Sequence, residues 1–290
     1  MRILIGLFAT IYLLARTTHL TSFAHFKSTS FAPVGPITML DAPLPAWLVT
    51  GLFAVAVISS AAACMGAFYR VSGPIFALTL LWVLSYRNSW GMIFHTENLL
   101  VVAALIVGVA PAADVWSWDA RRSVAKPPQT PSGRYGWALL ALQWVVVLSY
   151  VVAGVAKLRA SGLHWAAGEE LRSHIAFDAV RKLELGSTYS PIGAALVSQT
   201  WVFPPLAWLT LAFELGAPAA LLGGRWAKAW CATAWAFHVG VLVLMAIFFP
   251  YPLLGLAYAP FFAVERLLER WVWPTWRRWF PAGSSAEATI

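Results

Sequence analysis

Charge is scarce in this sequence. Only 11% of its 290 residues are Asp, Glu, Lys or Arg, and just 12 are acidic. An ordinary soluble domain carries roughly twice that charged share, so this chain is not built to face water on all sides. Cysteine is rarer still: Cys64 and Cys231 each sit inside an apolar run and read as small core residues that say little about redox compartment. No CxxC and no Cys/His metal spacing accompanies them, and no metal is expected. An internal repeat is also lacking, which argues against carriers built from duplicated halves.

Apolar residues fill the space left by charge. They make up 60% of the chain, and the mean hydropathy is +0.71. Several runs are long enough to cross a hydrocarbon core of about 30 Å. The expected fold is therefore all-α: a polytopic transmembrane helix bundle of about eight spans, with a long external loop between the fifth and sixth. The spans read roughly as Ile3–Leu20, Leu44–Tyr69, Gly73–Tyr86, Ile93–Ala110, Tyr135–Lys157, Phe203–Leu222, Trp226–Phe249 and Tyr251–Val264. The first follows Arg2 but has no convincing small-residue cleavage site, so it reads as a retained span. Within the long loop, Glu169–Leu185 has helical periodicity and reads as an amphipathic helix lying along the membrane. Residues 1–264 form the transmembrane domain. Residues 265–290 form a Trp- and Arg-rich tail whose WVWPTWRRWF run (Trp271–Phe280) suits the membrane interface.

The net charge of +8 follows the loops. Arg70, Arg121, Arg122, Lys126, Arg134, Arg225 and Lys228 gather on the side of both termini, which points to cytoplasmic termini in a plasma membrane, probed from the other side by the loop after Lys157. The partner of these cations is anionic lipid rather than nucleic acid.

Polar side chains inside spans are expensive, so each one requires a reason. His95, Lys157, Glu214 and His238 stand out, with Arg87 and Asn98 close by in sequence. His95 and Asn98 are three apart and are expected to share a helix face. Glu214 and His238 are expected near mid-span. Lys157 ends an apolar helix. It is either a snorkelling amine that reaches the headgroups or a desolvated amine kept neutral so that it acts as a base. An acid in an adjacent span would pair with it. Together these residues suggest one polar cavity open to one side, as membrane active sites and transport routes both are.

The segment SYVVAGVAKLRASGLHWAAGEEL (Ser149–Leu171) resembles the lysine-bearing segment of the vitamin K-dependent γ-glutamyl carboxylases. That family has a Tyr-x-x-Ala-Gly-Val-x-Lys-Leu run followed by Trp-x-x-Gly. Here these are Tyr150, Ala153, Gly154, Val155, Lys157 and Leu158, then Trp165 and Gly168. FHTENLL (Phe94–Leu100), VWSWDA (Val115–Ala120) and FHVGVLVLMAIFFPYPLL (Phe237–Leu254) resemble three further blocks in the same order, and Glu214 falls where the family has a helical acid. The likeness runs over residues 70–262 and corresponds to the transmembrane module called the HTTM domain.

In the carboxylases a neutral lysine deprotonates vitamin K hydroquinone, and the dioxygen adduct becomes a strong base. That base takes a γ-proton from a glutamate side chain, the carbanion adds carbon dioxide, and the quinone leaves as epoxide. Carried over, the resemblance implies catalytic roles for Lys157 as base and His95 as stabiliser of the oxygenated quinone. His238, Glu214, Asn98, Arg87 and Trp165 would line the cofactor site. Vitamin K hydroquinone or menaquinol, with O2 and CO2, would be the co-substrates, and a secreted peptide or protein the acceptor. Three departures stand beside the match, one being that the helix after His238 lacks the polar residues the carboxylases carry. Phe94 occupies the position of a polar Asn, and no lumenal C-terminal domain is expected after the last span. A short bacterial-type member is the expectation. A second reading is a non-enzymatic membrane module that binds or matures a secreted peptide.

Overall fold

The computed structural model describes residues 1–123, 132–264 and 266. The Trp271–Phe280 run, most of the 265–290 tail, and Lys126 with its neighbouring prolines lie outside the described residues. The chain is 78% helical, with no strand among the described residues. In chain order the α-helices are α1 (Arg2–Ala15), α2 (Thr17–Ser22), α3 (Ala46–Met65), α4 (Tyr69–Asn88), α5 (Asn98–Val109), α6 (Trp118–Arg122) and α7 (Gly133–Ser161). They continue with α8 (Glu169–Glu184), α9 (Pro191–Leu196), α10 (Phe203–Leu215), α11 (Gly224–Met245) and α12 (Pro250–Leu253), with short 3-10 turns between several of them.

This is an integral membrane helix bundle. The helices α3, α7 and α11 are each long and apolar enough to cross a membrane, and α1 with Thr17–His25 makes a fourth such unit, bent by 64°. Large apolar side chains point outward along them, Ile58, Val152 and Trp144 among them, as a hydrocarbon solvent allows. Of the remaining expected spans, α4 equals α3 in length at 20 residues but is less apolar, and the others are shorter or broken. At about 1.5 Å per residue, α5 (12 residues) and α10 (13 residues) fall short of a full crossing. The expected eighth span is α12 plus a 3-10 turn over Leu256–Phe261, because Pro250, Pro252 and Pro260 break the helical hydrogen bonding.

Inside the bundle, α3 packs on α1 and α4, and α4 on α5; α7 meets α5 and α10. One core runs from Ile5, Leu13 and Phe76 through Leu100 and Val147 to Phe213, Trp230 and Tyr258. The end carrying Arg2 is tied by charges placed on helix termini. Arg2 donates to carbonyls of Ala63 and Cys64 at the end of α3, and of Ala112 and Trp116 in the loop between α5 and α6. Asp119 accepts from the Phe68 and Tyr69 amides at 2.9 and 2.7 Å, at the start of α4. A cation on helix carbonyls and an anion on helix amides each complement the helix dipole.

Candidate functional site

Lys157 lies on one face of α7 with Gly154 and Tyr150, at spacings of three and seven residues. That face meets α10. A methyl on Gly154 would come within 2.9 Å of a Leu215 side-chain carbon and 3.1 Å of Glu214 Cβ. The absence of a side chain at 154 therefore lets α10 approach closely enough for Lys157 Nζ to bond Glu214 Oε1. Glu214 is the penultimate residue of α10 rather than a mid-span residue, because the helix gives way to a 3-10 turn at Ala217. Its side chain is 2% exposed and that of Lys157 is 21% exposed, so the acid is inside and the amine at an opening.

Trp165 closes the same spot. Lys157 Nζ is 5.4 Å from its ring centroid, a cation–π distance. The indole is buried with Ala166 against Ala207 and Leu211 of α10. Gly168 makes this fold-back work: it adopts φ +87°, and a Cβ there would lie 2.5 Å from the Phe203 and Pro204 backbone. The Trp-x-x-Gly element thus has a steric meaning, a left-handed turn pressed against the start of α10.

Four buried side-chain nitrogen or oxygen atoms among the described residues lack a protein partner: Trp82 Nε1, Trp90 Nε1, Trp165 Nε1 and Glu214 Oε2. Two of the four, a donor and an acceptor, belong to the residues that contact Lys157 Nζ. An unpaired buried polar atom costs about 1–3 kcal/mol, so its presence beside a half-buried amine marks a place suited to a ligand.

A second polar cluster lies about 10 Å further along α7. Tyr150 Oη is 3.0 Å from Tyr258 Oη, and the two hydroxyls are 3.5 and 3.3 Å from His238 Nδ1. The same nitrogen is 3.0 Å from the Ala234 carbonyl, which needs a proton on Nδ1 and leaves Nε2 as the acceptor. Phe213, one residue before Glu214, has its ring 5.0 Å from that of Tyr150, which joins the two clusters through aromatic packing.

His95 reaches this assembly through Phe249, whose ring is 5.4 Å from His95 and 5.0 Å from His238. The expected shared helix face of His95 and Asn98 is corrected by the structure: α5 begins at Asn98, and His95 sits in the non-helical stretch before it. Both side chains are exposed. The stretch is held by Asn88, whose amide accepts from the Phe94 N–H at 3.1 Å and donates to the Phe94 carbonyl at 2.9 Å. Arg87 stacks over the Phe94 ring at 4.7 Å and bonds Glu97 at 2.9 Å. Tyr12 donates to the other Glu97 oxygen at 2.9 Å. Arg87 is therefore committed to Glu97, Tyr12 and Asn88 rather than aimed at Lys157.

The expected site thus divides. Lys157, Glu214 and Trp165 form one contact set, His238 joins two tyrosines, His95 lies at their edge, and Arg87 and Asn98 stand apart from Lys157. Tyr258, Phe249 and Asn88 were not singled out from the sequence. The only signal for Tyr258 is a hydroxyl in an otherwise apolar run.

Residues 1–265 match the HTTM domain profile. No curated protein and no solved structure matches the chain.

Proposed function

Because this chain belongs to the HTTM domain family, we propose that it is a quinol-dependent membrane enzyme of the carboxylase type, with Lys157 as its base. The observation that carries the reading is the pair of unpartnered polar atoms, Glu214 Oε2 and Trp165 Nε1, on the two residues that contact Lys157 Nζ. A hydroxyl on an aromatic ring both donates and accepts a hydrogen bond, so a vitamin K hydroquinone or menaquinol suits this donor set. Bound there, the quinol supplies the reducing electrons that, with O2, make the strong base needed to carboxylate an acceptor with CO2.

The chain's own residues prepare that chemistry. Moving one proton from Lys157 Nζ to Glu214 Oε1 leaves an amine beside a carboxylic acid and replaces two poorly solvated charges by none. The amine form takes a hydroxyl proton and becomes the ammonium that faces the quinol anion, while Glu214 keeps the proton it received and stays a neutral acid beside it. The Trp165 ring covers the amine and limits water around it. His238 carries its Nδ1 proton to Ala234 and keeps Nε2 available to accept one. His95, exposed beside Phe249, offers a ring nitrogen at the edge of the His238 cluster. The remaining expected residues act indirectly: Arg87 fixes the stretch bearing His95, and Asn98 begins α5.

The setting proposed is a bacterial plasma membrane with both termini cytoplasmic and the Lys157 end outward. A secreted peptide or protein would present the acceptor carboxylate there. The test is epoxide formation from reduced menaquinone or vitamin K by the protein in nanodiscs under oxygen. Epoxide from wild type and none from Lys157→Ala is the expected result. Turnover unchanged in Lys157→Ala would remove the lysine from the chemistry. No quinol binding and no epoxide from either protein would favour a non-enzymatic module that binds or matures a secreted peptide.

A further inference from the structure

At the end of the bundle opposite Lys157, a recess of about 690 Å³ lies between α4, α5, residues 110–123 and the first turn of α7. That volume is within the range of small-molecule sites, about 300–1,000 Å³. Arg134 in its wall stands about 35 Å from Lys157 along α7. The short α5 makes room for it. Gly73 of α4 and Gly108 of α5 lie backbone to backbone, and a Cβ on either would come within 2.7 Å of the other's carbonyl oxygen. One residue later α5 ends at Val109, Ala110 is extended, and Pro111 cannot continue the helix. The recess that remains has Pro74 and Val109 among its apolar residues and Arg70, Asp114, Arg134 and Tyr135 among its polar ones. It stands at headgroup depth. The 29 residues of α7 are longer than a hydrocarbon core of about 30 Å. Trp116, Trp118 and Trp137, from the segments around the recess, are all exposed, as interfacial tryptophans are.

Two arginines and two aspartates line the recess, and they are committed unequally. Asp119 uses both oxygens on the Phe68 and Tyr69 amides. Asp114 Oδ2 accepts from Arg134 and Tyr135 at 3.1 and 2.7 Å, and its Oδ1 has no partner among the described residues. Arg134 uses Nη2 for that bond, which leaves Nε and Nη1 without a hydrogen-bond partner there. Arg70 is exposed, and its guanidinium has no partner among the described residues. A purely anionic headgroup would meet Asp114 as well as the arginines. A headgroup with one phosphate and one primary ammonium answers both signs: guanidinium suits phosphate, and an N–H-bearing cation suits a free carboxylate oxygen. Pro74 and Val109 offer hydrocarbon to the chains that follow. We infer that this recess binds the phosphoethanolamine headgroup of a membrane phospholipid, with the phosphate on Arg70 and Arg134 and the ammonium on Asp114. The lipid joins α7 to α4 and α5 at the end away from Lys157, and the site is independent of the quinol reading.

The test is lipid binding to the delipidated full chain in detergent, read by native mass spectrometry and by thermal unfolding temperature. The probes are phosphatidylethanolamine, phosphatidylcholine and phosphatidylglycerol with the same acyl chains, and free phosphoethanolamine. The choline head keeps the phosphate and the positive charge but has no N–H, and the glycerol head has no positive charge. The ethanolamine lipid is expected to bind about tenfold more tightly than either, the worth of one charge-assisted hydrogen bond, and to raise the unfolding temperature. Arg70→Gln and Asp114→Asn should each abolish that preference. Both variants should fold. Arg70 is exposed, and the Asp114–Arg134 pair, with side chains 36% and 63% exposed, contributes little. Equal binding of the three lipids, or a preference that survives both substitutions, makes this an ordinary lipid contact and overturns the proposal. Tightest binding by phosphatidylglycerol makes it a site for anionic lipid and overturns the zwitterion. Free phosphoethanolamine that displaces the lipid at matching concentration assigns the recess to a soluble ligand and overturns the membrane source.

Discussion

Arg87–Glu97 and Lys157–Glu214 are both ion pairs withdrawn from solvent, with side-chain exposures of 2% and 6% in the first and 21% and 2% in the second. They differ in how the remaining polar atoms are treated. Around Arg87 every side-chain nitrogen has a partner among Asn88, Tyr12 and Glu97, and both Glu97 oxygens accept a bond. Around Lys157 one Glu214 oxygen and the Trp165 N–H have none, and the amine reaches an opening. A closed network specifies structure: it anchors α4 to α1 and holds the stretch bearing His95. A pair left open spends stability on atoms that a ligand can complete. The satisfied pair is scaffold and the unsatisfied pair is site.

The comparison breaks first on stability. Arg87→Ala leaves Glu97 and Tyr12 buried around a missing cation, and the loss of about 3–5 kcal/mol expected for half of a buried pair should appear as a large fall in thermal unfolding temperature in detergent. If Lys157→Ala destabilises as much as Arg87→Ala, the two pairs are alike and the distinction fails. Lys157→Ala is expected instead to stay folded while quinol oxidation falls by about 10²–10⁴-fold, the range for loss of a general base, read as epoxide per enzyme. Next comes Tyr258→Phe, which removes one hydroxyl from the His238 cluster. A cost of about 1 kcal/mol in unfolding free energy is expected, and a null effect would mean the three groups do not act as a network. The smallest functional change is Trp165→Phe. The deleted N–H has no protein partner, so its stability cost is that of the packing lost when a buried indole becomes a phenyl ring, about 1 kcal/mol or more, while quinol affinity measured by titration drops several-fold. Unchanged quinol affinity would show that the indole N–H serves no ligand.

Much of the fold was readable from the chain, unevenly. Runs such as Ala46–Met65 and Gly224–Met245 are continuous and apolar, and their helices stand close to where the hydropathy puts them. The Glu169–Leu185 helix emerged as α8 because its period is local. The stretch around His95 misled, since Ile93 and Phe94 extend the apolar pattern while Asn88 holds their backbone out of the helix. The last expected span misled for another reason: apolar composition survives three prolines, and helical hydrogen bonding does not.

The sequence by itself determined the solvent of this protein, its helical class, the HTTM family pattern and the placing of an amine at the end of α7. Each of these is a property of composition or of a short window, and hydrocarbon admits few alternatives to a helix. Only the tertiary structure decided which groups meet that amine. Glu214 lies 57 residues away along the chain and reaches Lys157 because Gly154 lets two helices close together. Tyr150 and Tyr258 meet across 108 residues, and His238 joins them from α11. Periodicity tells which face of a helix is polar, but the partner across that face is set by how the helices pack.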